Sequence, residues 1–433
     1  MVYGGSGLAR PTEGEHVDKA VFVPFTLPGE LVETKSAESK GGFAEAELVQ
    51  VMEASNDRAT PGCAHFGECG GCQYQHASYK AQLELKAAVL LETLQRAGLA
   101  DLPEVQVHAS EPWEYRNRIR LRVAEVEGTL RVGYLRRGTN EFLPVRMCPI
   151  AAQVLWRAAT AFLQMAETAA AGQWARAAAE VEFFTTGDES KLQMTVFTRQ
   201  RRPANLSGFD TFCERLRELL PELAGVGAML LGNEGSQQSR RAERTRPIAA
   251  WGAEGLSYTA AREKYWVSRG GFFQVNRFLV DELVRIVTAG RRGLLAWDLY
   301  AGVGLFSRAL KTGFDEVVAV ETAGDDLAKT FKGTGRRAVA ATTVEFLRGA
   351  VVQRERPELV VMDPPRAGVG AEVCALLGRV QAHEMIYVSC DPVTLGRDLK
   401  AMVDFGYRID ELHFVDLFPQ TFHQETVVVL RRH

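Results

Sequence analysis

Three side chains at the ends of apolar segments have the chemistry of a nucleophile and its acid–base partners. Cys390 follows the apolar run MIYVS, Asp363 follows ELVVM, and Glu425 opens the run ETVVVL. The carboxyl ends of strands in an open α/β sheet face the ligand crevice, so the first two side chains are expected at one rim. Taken singly, such a cysteine is more often packed in the core, and such a carboxylate more often caps a helix. The combination indicates that Cys390 is a nucleophile assisted by Asp363 and Glu425.

A glycine-rich segment upstream is suited to binding a cofactor. DLYAGVG, with Tyr300, Gly302 and Gly304, follows the apolar run LLAW and precedes a predicted helix. Glycine lets the backbone approach a ligand, and the helix N-terminus offers free N–H groups. Glu321 ends the later strand EVVAVE, where an acidic side chain can bind two ribose hydroxyls. The same pattern occurs as a structural turn or an NAD site, so alone it indicates S-adenosylmethionine only weakly.

Methylation of a uracil ring at carbon 5 would use these groups together. Carbon 5 is too weakly nucleophilic to attack a sulfonium methyl group directly. A thiolate that adds to carbon 6 converts the ring to an enolate, whose carbon 5 can attack, and a base then removes the carbon 5 proton so that the thiolate leaves. Cys390 fits the nucleophile and Glu425 fits the base.

Four of the seven cysteines have the pattern of a metal site. Cys63, Cys69 and Cys72 lie close together, and Cys148 follows later, directly before a proline. Four thiolates fit tetrahedral zinc or a [4Fe–4S] cluster, and the spacing alone leaves the two equal. A proline after the last cysteine is a feature of some cluster proteins.

Arginines alternate along the segment YRNRIRLRV. On a strand, a period of two places them on one face, and no acidic residue lies between them. A solvated strand face is the usual meaning of such charge, but this pattern favours contacts with RNA phosphates. The candidate RNA-binding residues are Arg116, Arg118, Arg120, Arg122, Arg136 and Arg137. The basic segment 236–247 is predicted to be a loop.

The elements that must position these residues form a regular pattern in the C-terminal part. A helix is predicted over 277–289, and strands over 294–300, 316–321, 358–363 and 385–390, with helical segments between most of them. This alternation predicts an α/β fold with a doubly wound parallel sheet. Two late runs, RIDELHFVDL and ETVVVLRR, predict a terminal antiparallel hairpin. Such a hairpin is common in class I methyltransferases and uncommon in plain dinucleotide-binding folds.

The N-terminal part is predicted to hold two further domains. Residues 1–57 form a small β-module with strand-like runs AVFVPF and FAEAELVQVME. Residues 58–265 form a β-rich central domain that carries the first cysteines, an amphipathic helix over 84–97, two strands over 115–135 and a helical stretch over 151–180. Despite its early position, the helix over 84–97 can pack against the C-terminal domain. Residues 266–433 form the catalytic domain.

Composition excludes several classes of protein. A chain of 433 residues predicts two or three domains, and 46% hydrophobic with 24% charged residues predicts a soluble globular protein. The sequence MVYGGSGLAR has no apolar signal region, and no apolar run approaches the ~18 residues of a membrane span. A cytoplasmic location is therefore expected, where cysteines serve metal binding or catalysis before disulfides. The net charge of −3 argues against a uniformly basic surface but allows local basic patches.

Segments that occur in order along nearly the whole chain resemble the bacterial RNA uridine-5 methyltransferases, which act on ribosomal or transfer RNA. They are FFQVN (272–276), DLYAGVG (298–304), DPPRAG (363–368), SCDPVTLGRDL (389–399) and HQET (423–426). The resemblance implies a class I methyltransferase domain in which Gln274, Tyr300, Glu321 and Asp363 contact S-adenosylmethionine or the target base. It also implies Cys390 as nucleophile, Glu425 as proton acceptor and a [4Fe–4S] cluster on the four cysteines.

Upstream, YGGSGLAR with LPGELV resembles the TRAM module of that family, an OB-like β-barrel that binds RNA. Three features depart from the family pattern. The TRAM-like region begins at its glycine turn, without the first strand of the family. Leu305 stands where some relatives carry asparagine, and the stretch AVAATTVEF (338–346) lacks the acidic or amide residue expected near adenine.

The sequence thus predicts an RNA uracil-5-methyltransferase that is a monomer and binds no membrane, with ribosomal RNA favoured over transfer RNA as substrate. Two rival hypotheses remain at this point. One is an oxidoreductase with an NAD-binding fold and an electron-transfer cluster. The other is an RNA-binding protein whose catalytic residues are inert remnants.

Overall fold

The computed structural model describes residues 1–12, 19–35, 39–168, 172–199, 208–232, 245–332 and 337–433. Most of the predicted basic loop, residues 236–244, lies outside the described residues. Among the residues that are described, no helix is both long enough and apolar enough to cross a membrane.

Two small sheets make up the N-terminal module. One has the strand order β1-β2-β5-β4, and the other pairs β3 with β6. The strands are β1 (Ser6–Ala9), β2 (Ala20–Pro24), β3 (Leu31–Lys35), β4 (Ser39–Lys40), β5 (Phe43–Glu45) and β6 (Glu47–Glu53). Among the residues of this module that the structure describes, Val21, Val23, Ala44 and Ala46 form a small buried core. Because so small a core supplies little stability, we expect the module to depend on its contacts with the rest of the chain.

Helix α1 (Tyr79–Arg96) and strand β7 (Val105–His108) follow the first three cysteines. The Ser78 side chain caps α1 by accepting the N–H of Ala81. Leu90 and Leu94 of α1 are fully buried in the core of the C-terminal domain. Strand β7 is also the outermost strand of the C-terminal sheet. The sequence analysis noted that the helix near 84–97 could pack against the catalytic domain, as it does, whereas it did not predict β7. The strands of the catalytic sheet therefore come from two separate stretches of chain.

The central domain is built on a seven-stranded sheet with the order β10-β9-β8-β11-β12-β13-β14. Helices α2 and α4 pack on it through a core that contains Phe162 and Leu216. The strands are β8 (Arg118–Val126), β9 (Thr129–Leu135), β10 (Phe142–Pro144), β11 (Ala178–Thr185), β12 (Leu192–Thr198), β13 (Leu223–Leu230) and β14 (Arg246–Gly252), and the helices are α2 (Gln153–Ala166), α3 (Gln173–Arg176) and α4 (Phe209–Leu219). The predicted helical stretch 151–180 thus ends early, since β11 begins at Ala178.

The catalytic domain has an eight-stranded sheet with the order β19-β18-β17-β20-β21-β23-β22-β7. Its strands are β17 (Gly293–Leu299), β18 (Phe314–Glu321), β19 (Arg337–Ala340), β20 (Leu359–Met362), β21 (Glu384–Ser389), β22 (Tyr407–Val415) and β23 (Glu425–Arg432), together with β7. Strands β17 to β21 are mutually parallel, and β23 is antiparallel to both its neighbours. This arrangement confirms the predicted doubly wound α/β sheet with a terminal hairpin.

Both faces of this sheet are covered, as its continuous apolar strands require. Alternate strand residues, such as Val360 and Val361, enter two different cores. The covering elements are the hairpin β15 (Gly255–Ala260) and β16 (Glu263–Ser268) and the helices α5 (Val280–Thr288), α6 (Leu305–Leu310), α7 (Asp325–Phe331), α8 (Thr343–Gln353), α9 (Gly370–Val380) and α10 (Pro392–Asp404). Both faces of the sheet are therefore packed, and the rim at the carboxyl ends of its parallel strands remains for binding.

Candidate active site

The register of the parallel strands brings three predicted residues to one rim of the catalytic sheet. Tyr300 directly follows β17, Asp363 directly follows β20, and Glu321 is the last residue of β18. The pairing of these strands aligns the three residues side by side. Tyr300 has a φ of +62°, a conformation that non-glycine residues seldom adopt. Such local strain persists only where the surroundings hold it, and it is concentrated at functional sites.

The antiparallel neighbour places two further residues at the same rim. Ser389 pairs with Thr426 in the register of β21 and β23, so Cys390 and Glu425 are the next residues on the two strands. One strand arrives at this rim and the other departs from it. The predicted nucleophile and the predicted base therefore face each other at the end of the sheet.

Glu321 binds the backbone of the glycine loop that follows β17. The Glu321 carboxylate accepts the N–H of Gly302 at 2.9 Å and the N–H of Ala323 at 3.1 Å. Gly304 has a φ of +85°, and a side-chain carbon there would lie 2.9 Å from Leu327. Only glycine fits at this position, which fixes the turn that leads into α6.

Asp298 holds the first turn of α6 from below the loop. Its carboxylate is fully buried and accepts the backbone N–H of Ser307 at 2.8 Å and the Ser307 hydroxyl. Burial raises the pKa of Asp298 to about 6, although the Ser307 hydrogen bonds act in the opposite direction. Asp298 is thus a structural support of the cofactor loop.

Gln274 and Asp363 meet between the loop and Cys390. The Gln274 amide donates to the Asp363 carboxylate at 3.4 Å, and the backbone oxygen of Gln274 accepts from the Asn117 side chain at 2.9 Å. Burial, and then the charge of Asp298, raise the pKa of Asp363 to about 7. Phe272, two residues before Gln274, has 71% of its surface exposed. The segment FFQVN therefore presents one amide to the rim and one aromatic ring to solvent.

The surroundings of Cys390 disfavour deprotonation of its thiol. Burial and the negative charges of Glu425 and Asp363 raise the pKa of Cys390 to about 11, whereas the Arg366 guanidinium acts to lower it. Glu425 is itself 3% exposed, and burial together with Asp363 raises its pKa well above the usual range. A carboxyl group with a raised pKa accepts a proton more readily than an ordinary one.

The N-terminal module reaches this rim through Tyr3, which the sequence analysis did not single out. The Tyr3 hydroxyl donates to Asp391 at 3.3 Å, and its ring lies edge-on to Phe422 with centroids 5.4 Å apart. Asp391 also accepts the N–H groups of Val393 and Thr394 and so caps α10. The sequence offered no signal for this contact, because the two partners are hundreds of residues apart along the chain.

Three buried polar residues around the segment that leads to Glu425 were also missed. Lys86 and Asp416 form an ion pair of 2.7 Å with both side chains fully buried. Asn276 donates to the backbone oxygen of Leu417 at 3.2 Å. A lysine on the apolar face of a predicted helix, one turn from Leu90, was the available signal for the first of these.

The four predicted metal-binding cysteines line one cavity of about 290 Å³. They are Cys63, Cys69, Cys72 and Cys148. Burial and mutual repulsion of the thiolates raise the pKa of Cys72 to about 12. In the described part of the chain, no group of three or more histidine, cysteine or acidic side chains is arranged to hold a metal ion. The cysteines are therefore assembled, but not as the tight set that one ion would need.

Arg116 faces this cysteine cavity rather than the strand surface. It lies before β8, lines the cavity, and its charge lowers the pKa of Cys148. Its buried Nε has no hydrogen-bond partner among the described residues. Buried polar groups are nearly always paired, so an orphan here indicates a missing neighbour in the cavity.

The other arginines of β8 do not form an unpaired row. Arg118 donates to Glu182 at 2.8 Å, while Arg120 and Arg122 both bind Glu180. The acidic partners lie on β11, which the sequence could not show to be the neighbouring strand. Arg120 and Arg122 remain half-exposed, but Arg118 is mostly buried. Of the other two candidates, Arg136 pairs with Glu68, and Arg137 is exposed.

The sequence of this chain is similar to those of known RNA methyltransferases. A family model described as tRNA (uracil-5-)-methyltransferase matches residues 340–433. The chain is 33% identical to the 23S rRNA (uracil(1939)-C(5))-methyltransferase RlmD of Chromohalobacter salexigens, over 100% of this chain and 88% of that protein. It is 31% identical to an uncharacterised RNA methyltransferase of Aquifex aeolicus, over 99% of this chain and 96% of the other.

Among solved structures, the tRNA (uracil-54, C5)-methyltransferase of Pyrococcus abyssi in complex with S-adenosyl-L-homocysteine has the same fold. The two superpose with a TM-score of 0.73 at 22% identity, over 98% of this chain and 100% of the other. The likeness extends over the N-terminal, central and catalytic parts.

Proposed function

Because this chain belongs to the family of S-adenosylmethionine-dependent RNA uracil-5-methyltransferases, we propose that it methylates a uridine of ribosomal RNA through a covalent adduct with Cys390. Membership of the family confirms the resemblance noted in the sequence and the class I methyltransferase fold. Neither rival hypothesis, an NAD-dependent oxidoreductase or an inert RNA-binding protein, has support from these comparisons.

The observation that carries the covalent mechanism is the position of Cys390 opposite Glu425 at the end of β21 and β23. In the proposed reaction the Cys390 thiolate adds to carbon 6 of the uracil, and carbon 5 of the resulting enolate takes the methyl group. The Glu425 carboxylate then takes the carbon 5 proton. The electrons of that C–H bond restore the C5–C6 double bond, and the C6–S bond breaks to release the Cys390 thiolate.

S-adenosylmethionine supplies the methyl group, and the glycine loop is the proposed place for it. Glu321 would bind the ribose hydroxyls, and the backbone at Gly302, where a side-chain carbon would meet no atom within 4 Å, leaves room for a ligand next to it. Tyr300, Gln274 and Asp363 lie between this loop and Cys390. Their order along the rim gives a path from the cofactor to the nucleophile, as a methyl transfer requires.

A [4Fe–4S] cluster is the group that we propose for the cysteine cavity. Zinc holds four thiolates about 2.3 Å from one centre, whereas a cube of iron and sulfide holds them farther apart. An open set of four cysteines around about 290 Å³ suits the larger group better. Arg116 beside it would offset the negative charge of the thiolates. Bound there, the cluster would crosslink the segment of Cys63 to Cys72 with Cys148.

The RNA is proposed to lie against the N-terminal module, which we interpret as a TRAM-like barrel. A cleft of about 1200 Å³ separates this module from α1 and α10 and begins at Tyr3, next to Asp391. Aromatic and basic side chains, which suit single-stranded RNA, line it together with several glutamates. The aromatic and basic residues of the cleft are Tyr3, Phe22, Phe43, Lys35, Arg96 and Arg137.

Ribosomal RNA is favoured because the relative named as a 23S rRNA methyltransferase is similar over the whole chain. The test compares 5-methyluridine in the ribosomal and transfer RNA of cells with and without this gene, by mass spectrometry of RNase fragments. We expect one ribosomal fragment to lose 14 Da, the mass of one methylene, and the transfer RNA to be unchanged. A loss confined to transfer RNA would contradict the proposed substrate and favour the activity named for the Pyrococcus abyssi protein.

A further inference from the structure

The segment that leads into Glu425 is held from outside the catalytic sheet. We call residues 416–424, which connect β22 to β23, the base loop. Hydrogen bonds are donated to it by helix α1 and by residues 63–76, which we call the cysteine-containing segment. A loop that carries a catalytic group on such supports is positioned by them, since loops owe their precision to the scaffold they rest on.

Lys86 of α1 secures both ends of the base loop. Its ammonium group donates to the Asp416 carboxylate at 2.7 Å and to the backbone oxygen of Phe418 at 2.9 Å. At the other end, the Gln424 amide donates to the backbone oxygen of Lys86 at 3.1 Å. Gln424 directly precedes the base, so α1 supports the loop up to its last residue.

Gln420 is the point at which all the supports meet. Its backbone oxygen accepts the N–H groups of Gln73 and Tyr74, both at 3.0 Å. Its backbone N–H donates to Gln82 of α1 at 3.0 Å, and its side-chain oxygen accepts the Gln82 amide at 2.9 Å. Gln420 is 3% exposed and has a φ of +69°. A glutamine in this conformation is strained, so these contacts maintain it.

We propose that Gln420 is a positioning residue that couples the cysteine-containing segment to the Glu425 carboxylate. Gln73 and Tyr74 follow Cys72, and the Gln73 side chain also accepts the N–H of Phe422 at 3.3 Å. The loop that carries the proposed base is therefore hydrogen-bonded to the two residues that directly follow Cys72 of the cysteine cavity. This inference rests on the proposed function, because it requires Glu425 to take the carbon 5 proton.

A displaced base affects one step of the reaction and leaves the earlier steps intact. Addition of the Cys390 thiolate and methylation do not use the Glu425 carboxylate. Removal of the carbon 5 proton does, and without it the C6–S bond does not break. An enzyme in which Gln420 no longer holds the base loop should therefore form the methylated adduct and release it slowly. A misplacement on the order of 1 Å can cost roughly 10² in rate.

The test compares Gln420→Ala and Gln420→Gly, which remove the side-chain contact with Gln82, with the same changes at Gln381. The backbone oxygen of residue 420 still accepts from Gln73 and Tyr74 in these variants, so Gln73→Ala, which removes the contact with Phe422, is compared as well and should show the same defect. Gln381 is a matched control, because it also has a positive φ, +59°, but is exposed at the end of α9. Each variant receives an RNA that contains the target uridine. The measurements are kcat and KM for the RNA, the protein–RNA adduct on denaturing gels, and deuterium exchange of residues 416–426.

For both Gln420 variants we expect kcat to fall about 10- to 100-fold with KM little changed, adduct to accumulate, and the base loop to exchange faster. Glycine relieves the positive φ, so a defect that persists in Gln420→Gly belongs to the lost amide contacts. Equal loss of adduct formation and turnover in the Gln420 variants, with a normal wild type, would overturn the positioning role. Absence of adduct from the wild type on an RNA with 5-fluorouridine would instead overturn the proposed function.

Discussion

At the scale of single residues, the candidate site brings together groups whose charges oppose one another. Cys390 lies near two carboxyl groups, and each of them disfavours the thiolate. Burial and the charge of Asp363 raise the pKa of Glu425, and burial and the charge of Asp298 raise the pKa of Asp363. These charges favour the thiol form of the proposed nucleophile, and a positive charge nearby, such as a bound sulfonium group, would offset the carboxylates.

The ionisation of Cys390 can be followed by its alkylation in the free enzyme. Since its pKa is about 11, the rate of reaction with iodoacetamide should rise with pH over the whole range from 7 to 10. Glu425→Gln removes a negative neighbour and should lower the pKa, which speeds alkylation at pH 8 by about tenfold for each unit. Arg366→Gln removes the positive neighbour and should slow it. Peptide mass spectrometry measures the rate, with buried Cys374 as control, and a plateau below pH 8 would contradict the environment described here.

The sequence predicted which side chains lie together at the rim but not the ones that support them. The positions of Cys390, Asp363 and Glu425 could be predicted because apolar runs show where strands end, and strand ends meet at one rim. The contacts of Tyr3, Lys86 and Asp416 could not be predicted, because they join segments more than 300 positions apart. No local pattern encodes which distant backbone a side chain will meet.

At the scale of elements, β8 shows how a pairing partner changes the meaning of a charge pattern. The alternating arginines of β8 predicted a free basic face, but β11 supplies Glu180 and Glu182 opposite them. The neighbour of a strand is a long-range property, so the acids on β11 could not be assigned to this face from sequence. The same reason explains β7, whose partner β22 lies at the other end of the chain.

Arg118 and Arg137 should therefore behave differently when each is changed to alanine. Arg118 contacts Glu182 and the backbone oxygen of Gly271 and lies 4.2 Å from the ring of Phe184. Its loss leaves the partly buried Glu182 carboxylate without its partner and should lower the free energy of unfolding by about 2 kcal/mol. Arg137→Ala should leave stability unchanged and weaken RNA binding.

The measurements are urea denaturation and RNA affinity at several salt concentrations. For Arg137→Ala the slope of log affinity against log salt should fall by about 0.7, one phosphate of a single strand. Unchanged affinity and slope in Arg137→Ala would remove this residue from the RNA surface. A stable Arg118→Ala protein with weak RNA binding would restore the prediction made from the sequence.

The cysteine-containing segment makes a separate prediction about its metal. Protein purified without oxygen should be brown and contain about four irons per chain, and Cys72→Ser should lose the iron. Cys374→Ser, at a buried cysteine outside the cavity, is the matched control and should retain it. Elemental analysis decides the outcome. A colourless protein with one zinc and full activity would exclude the cluster.

At the scale of the whole molecule, three parts of the chain converge on one rim. The N-terminal module touches the rim through Tyr3, the central domain contacts it through Asn117, which donates to the backbone oxygen of Gln274, and the catalytic domain supplies the proposed reacting groups. The fold class and the catalytic strands could be predicted from apolar periodicity. The convergence could not, because the relative placement of domains depends on contacts between surfaces that no single segment describes.

His76 lies at the contact between the N-terminal module and the cysteine-containing segment, and its protonation can be used to probe that contact. It is 2% exposed and lies 3.3 Å from the backbone oxygen of Thr26, and burial lowers its pKa to about 4. The unfolded chain binds this proton near pH 6.5 and the folded chain only near 4, so its contribution to stability is lost as the pH falls between these values. We expect about 2 kcal/mol less stability at pH 5 than at pH 7 from this residue.

The prediction is tested by urea denaturation of the wild type and His76→Gln at both pH values. Glutamine keeps a donor for Thr26 but does not titrate, so the variant should lose less stability on acidification. An identical loss in both proteins would show that His76 is already exposed to solvent in the folded state.

The measurement that tests the central claim most directly is the fate of the covalent adduct in two variants. Glu425→Gln should attack and methylate the RNA but fail to eliminate the thiolate, because the proton step loses its base at a cost on the order of 10²–10⁴ in rate. A methylated protein–RNA species should accumulate and survive denaturing electrophoresis. It should be absent from the double variant that combines Glu425→Gln with Cys390→Ala. Cys390→Ala alone should form no adduct and no product. Substantial methylation by Cys390→Ala would contradict the account, since the reaction would then proceed without the proposed nucleophile.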